Sequence, residues 1–127
     1  MRYLLSLIFF VMLALPSVSQ VVVGNVDINK ADDIRIVEVL VAEKFSNKSV
    51  NVFVDFGQKS NFKSGNLDNN SENQRIVDPE TKKEIQFKSA SALLNFMETN
   101  NWEHYDSAVV RDNSEKLFYY YFRKRGK

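Results

Sequence analysis

The chain has 127 residues, with 17 lysines and arginines against 16 aspartates and glutamates, one histidine and no cysteine. A net charge of +1 gives no global field to draw in nucleic acid, and the missing cysteine excludes disulfide frameworks, thiolate metal sites, lipid-modified cysteines and thiol nucleophiles. At 44% hydrophobic and 13% aromatic residues, a chain of this length suffices for one packed domain.

Residues 1–19, MRYLLSLIFFVMLALPSVS, read as a signal peptide. Arg2 supplies the positive start, Tyr3 to Leu15 the apolar run, and Pro16 the helix break. Ser17 and Ser19 put small residues at −3 and −1, so the expected cut falls between Ser19 and Gln20. The apolar run would rise about 20 Å as a helix, short of a bilayer core of about 30 Å. The chain is therefore expected to be exported, periplasmic or secreted, with no stable membrane span after cleavage. Losing Arg2 leaves equal numbers of basic and acidic residues.

Residues 20–33 are expected to be a leader or an edge strand, and residues 34–127 a single domain. The run Ile34 to Phe45, IRIVEVLVAEKF, is apolar on both faces and reads as a long central strand. After a polar turn, VNVFVDFG alternates: Val50, Val52, Val54 and Phe56 face one way, and Asn51, Phe53 and Asp55 the other. Residues 58–74 are rich in Asn and Ser and read as a long surface loop. A second hairpin is expected over Arg75 to Lys88, turning at Asp78-Pro79.

Ser89 suits a helix N-cap, and Ala90, Leu93, Leu94 and Met97 form an apolar stripe at helical spacing. Asn100 and Asn101 end the helix, since Asn tolerates the left-handed conformation. Glu103 to Val110 and Lys116 to Lys124 then form a last hairpin. The order gives an α+β fold, an antiparallel β-sheet built from hairpins with a single α-helix packed on one face.

Three patterns invite a chemical reading. His104 and Asp106, two apart in a strand, would share a face beside Trp102 and could serve a small hydrolase or ligand pocket. No second histidine, cysteine or GxSxG nucleophile accompanies them, so Trp102 is expected to plug the gap between helix and sheet, with His104 structural. Glu103 and Asp106 are expected on opposite faces, which denies them a paired-carboxylate role. Asp27, Asn29, Asp33 and Glu38 match ligand positions of a calcium loop, but Ala31 and Asp32 stand at a ligand position and the turn glycine. No cofactor or metal is expected.

The last strand carries Phe118, Tyr120 and Phe122 on one face and Leu117, Tyr119 and Tyr121 on the other. One helix covers one face, and the first set is the expected inner one. Phe53, Tyr119 and Tyr121 would then form an aromatic patch on the open face, covered either by the 58–74 loop and second hairpin or by another molecule. The basic end, with Arg123, Lys124, Arg125 and Lys127, is the remaining candidate surface, for a polyanion or a membrane surface.

Residues 89–125, with helix, Asn101-Trp102-Glu103 corner and aromatic hairpin, resemble small exported bacterial domains of families of unknown function. Those domains have Gly-Trp-Glu at the corner, where this chain has Asn101. VNVFVDFG and IVDPETKKEIQF are similar to segments of short exported proteins of gut-type anaerobic bacteria. The resemblance implies a fold and an exported home and brings no activity. The expectation is an exported non-catalytic module acting in protein–protein interaction, self-association or structure.

Overall fold

The computed structural model describes residues 19–43, 48–58, 72–112 and 115–126. Most of the expected signal peptide and of the expected 58–74 loop lies outside them. The elements are β1 (Val22–Val23), β2 (Val26–Asp27), β3 (Ile36–Glu43), β4 (Asn51–Asp55), β5 (Ile76–Val77), α1 (Ala90–Thr99), β6 (Trp102–Asp112) and β7 (Glu115–Lys124), with a 3-10 turn at Glu72–Gln74. Two antiparallel sheets and one helix make an α+β fold.

The large sheet has the order β4-β3-β7-β6. β3 is interior, which explains why its sequence is apolar on both faces: Val37, Val39 and Val41 enter the main core, while Leu40 and Ala42 are buried on the reverse. Period-two alternation carries through to the neighbours. Val52, Val54 and Phe122 are buried in the main core with Phe118 and Tyr120 packed at its margin, so the expected inner set holds.

The small sheet has the order β2-β1-β5, with β1 in the middle. Within residues 20–33, β2 takes the expected edge place, while β1 sits in the middle of the sheet. Val21, Val22 and Val23 are all buried, and Val21 and Val23 join Ile28, Ile34 and Ile76 in the main core. A run of three valines has no polar face to offer water, so pairing on both sides satisfies its backbone and packing covers its side chains. Gly24 turns β1 into β2 at φ +60°, and a Cβ there would lie 3.0 Å from the Asn73 Cα. Both facts favour glycine.

The second hairpin is reduced to single bridges, Val77 to Glu84 and Ile85 N–H to Ile76 O. Its turn closes from Lys82 N–H to Asp78 O, with the Asp78 carboxylate accepting the Glu80 and Thr81 amides at 2.9 Å each. Those amides hold the Asp78 carboxyl below its usual pKa.

Helix α1 starts where Ser89 Oγ accepts the Ala92 amide at 3.1 Å. It buries Leu93 and Met97 and stops at Asn101, whose φ of 72° is left-handed. Ten residues are too few to persist alone, so packing on the sheet end near β6 holds them.

Candidate functional site

β6 is not a regular strand. Its pairing shifts between His104, opposite Phe122, and Asp106, opposite Tyr121, leaving Tyr105 as an inserted residue. Directly opposed residues share a face, so His104 lies on the core side with Phe122, and Asp106 on the open side with Tyr121. This corrects the expected His104–Asp106 alignment, because one extra residue inverts the parity of everything after it. It also brings Glu103, opposite Arg123, onto the same face as Asp106 rather than the opposite one.

Carboxylates meet the backbone on both sides of the bulge. Glu98 Oε1 accepts the His104 amide at 3.1 Å, and Asp106 Oδ1 accepts the Ser107 amide at 2.8 Å. The His104 amide, followed by Arg125, holds the Glu98 carboxyl below its usual pKa. The imidazole of His104 packs edgewise on Tyr120 and Phe122, each ring centre 5.6 Å away. Its Nε2 is buried and has no hydrogen-bond partner. The residue as a whole is half-buried, on the face opposite Asp106.

Trp102 is completely buried, as expected of a plug. Its Nε1 donates to Asn29 Oδ1 at 2.8 Å, and Asn29 Nδ2 donates to Asn100 O at 2.8 Å. The supposed calcium residue Asn29 is therefore engaged in the core, Asp27 accepts the Asn29 and Lys30 amides, and Glu38 lies on the far side of the sheet. These groups do not converge. Among the described residues no three His, Cys, Asp or Glu side chains are grouped to hold a metal, and no helix is long and apolar enough to cross a membrane.

The basic end is tied down. Arg123 pairs with Glu103 at 3.0 Å, which lowers the Glu103 pKa and raises that of Arg123. Arg125 donates to Glu98 O at 2.8 Å and pairs with the Glu98 carboxylate. Lys124 donates to Ala31 O at 2.8 Å and sits 5.3 Å from the Trp102 ring centre, where burial pushes its pKa down. Arg123, Lys124 and Arg125 thus work within the fold, and Lys127 lies outside the described residues.

On the open face, cross-strand pairing sets Asp55, Glu38, Tyr121 and Asp106 in one row across all four strands. The next row is Phe53, Leu40, Tyr119 and Ala108. Phe53 is only 2% exposed, beneath the Arg75 guanidinium 4.1 Å from its ring centre, and Arg75 in turn pairs with Glu84 at 3.1 Å. It is a floor and not a contact surface. Tyr119 and Tyr121 are half-buried, and Tyr105, whose ring centre is 6.4 Å from that of Tyr121, is 43% exposed. The Glu38 carboxylate across the strand pair from Tyr121 raises the phenol pKa, with burial and the Asp106 charge adding to it. Neither Glu38 nor Asp106 forms an ion pair with a described residue.

Sequence reasoning missed Tyr105, Glu38 and Asp106 as members of this surface, because the bulge that brings Tyr105 and Asp106 to Tyr121 has no residue signature. A mixed-charge cleft of about 510 Å³ lies beside the β1–β2 turn, lined by Gly24, Asn73, Arg75, Lys82 and Glu84 among others. It holds neither His104 nor Asp106. Among the known proteins compared, no family model, no curated protein and no solved structure matches the chain.

Proposed function

We propose that the chain is an exported, non-catalytic module that binds another exported protein, or a second copy of itself, through the open face of the large sheet. The observation that carries this reading is the row containing Tyr121. Asp55 and Glu38 stand directly opposite each other, and like charges so placed weaken a sheet by a few tenths of a kcal/mol or more. Asp55 Oδ1 accepts the Gly57 amide at 2.8 Å, which accounts for it locally, whereas Glu38 and Asp106 have no ion pair with a described residue and could take a partner's basic or hydroxyl groups. Tyr105, Tyr119 and Tyr121 add aromatic side chains of the kind enriched where proteins meet. The hydrolytic reading lacks support, since His104 and Asp106 are on opposite faces. The polyanion reading lacks it because Arg123, Lys124 and Arg125 are each engaged by the chain itself.

The test compares the mature protein with a Tyr119→Ser/Tyr121→Ser variant by light scattering and by recovery of co-purifying proteins. A lower mass or a lost partner in the variant supports the reading. Monomers in both, with the same proteins recovered, count against it.

A further inference from the structure

Gln20 opens the fold and Asn100 closes α1, and the two touch. The Gln20 backbone nitrogen donates to Asn100 Oδ1 at 3.2 Å, and the very next residue, Val21, is fully buried. The acceptor is held in place from three sides. Asn100 Nδ2 donates to Phe96 O at 2.8 Å, its N–H is shared by Phe96 O and Met97 O at 3.1 Å, and its own carbonyl accepts Asn29 Nδ2 at 2.8 Å. This is the negative end of the helix macrodipole, and α1 has no basic residue in its last turn.

We propose that removal of residues 1–19 makes the new N-terminus a structural ligand of the fold: an α-ammonium on Gln20 seated at the C-terminal end of α1. The inference rests on the export reading above. Hydrolysis of the Ser19–Gln20 bond consumes one water, leaves a carboxylate on Ser19 and turns the Gln20 amide into an ammonium at neutral pH. One neutral N–H donor becomes three charged ones at the same atom. The uncut chain has the donor without the charge, so processing tightens the contact between the start of the small sheet and the end of the helix.

Other charged groups surround this end of the molecule. Asp27 and Lys30 flank Asn29, Lys124 lies on Ala31 and Trp102, and Glu98 is paired with Arg125. All persist when the N-terminus is acetylated, so a comparison of free and acetylated chains isolates the amine. A seated ammonium has its pKa raised above the usual value of about 7.7. Its stabilisation is complete below that value and disappears as pH rises through the raised one.

The experiment uses residues 20–127 with Gln20→Ala, which prevents cyclisation of an N-terminal glutamine, prepared with a free and with an acetylated N-terminus. Urea unfolding is followed from pH 6 to pH 10. The free-amine chain should have a folding constant about two- to fivefold larger at pH 6, converging on the acetylated chain by pH 10. Adding Asn100→Ala should shrink the gap. Identical curves at pH 6, or a gap unchanged to pH 10, overturn the proposal. The mass of the protein recovered from the exported fraction tests the export reading by itself: it should begin at Gln20, and another start refutes the processing step whatever the unfolding curves show.

Discussion

The indole nitrogen of Trp102 donates to the side-chain oxygen of Asn29, 73 residues earlier in the chain, at 2.8 Å. That bond ties the turn after the small sheet to the joint between helix and large sheet, and Asn29 extends it to the carbonyl of Asn100. A fully buried indole needs this acceptor, because an N–H stranded in a core costs about 1–3 kcal/mol. Asn29→Ala should therefore destabilise the fold by about that amount, and Trp102→Ala by about 3–5 kcal/mol through the cavity it leaves. Urea unfolding measures both. The double variant should fall short of the sum, since the two side chains share one interaction.

Acid stability should depend on Glu98. Its carboxyl sits below its usual pKa of 4.5 because it accepts the His104 amide and pairs with Arg125. A depressed folded value means stability present above about 4.5 and lost as pH falls through the lower one. Asp78 and Glu103 are depressed in the same direction. Thermal unfolding across pH 2 to 6 should show a slope that Glu98→Gln reduces and does not abolish.

Tyr121 should titrate late. The Glu38 carboxylate opposite it favours the neutral phenol in the fold, so its pKa lies above 10.0. The associated stability is present below the usual tyrosine value and lost as pH rises through the raised one. Spectrophotometric titration at 295 nm, a wavelength set by the phenolate, should show a late component, and Glu38→Gln should bring it earlier.

Gly24 should resist substitution. At φ +60° a side chain is strained, and at 3.0 Å from the Asn73 Cα a Cβ would press on backbone that must shift to admit it. Gly24→Ala should lower stability by about 1 kcal/mol or more, read as a shift in the urea midpoint at constant slope.

The alternating faces of β4 and β7 were legible because burial of one side fixes a period of two, so the pair Phe118 and Phe122 could be placed from sequence alone, whereas β3, apolar on both faces, was legible only as a central strand. Ser89 and Asn101 were legible because their side chains do local chemistry with the backbone. Tyr105 was not. A bulge adds one residue without a characteristic composition, and it decides which side of the sheet Asp106 serves. Nor was the central place of β1, since its pairing with β5 joins segments more than fifty residues apart. Phe53 was placed on the correct face, but Arg75, which covers it, comes from more than twenty residues later and has no local pattern to reveal it.

Hydroxyl-radical footprinting of the protein, free and with its co-purifying partner, tests the central claim most directly. Tyr105, Tyr119 and Tyr121 should be modified in the free protein and protected in the complex, with Trp102 unreactive in both. Tyrosines equally reactive in the two states, or an indole oxidised in the free native protein, would contradict the account.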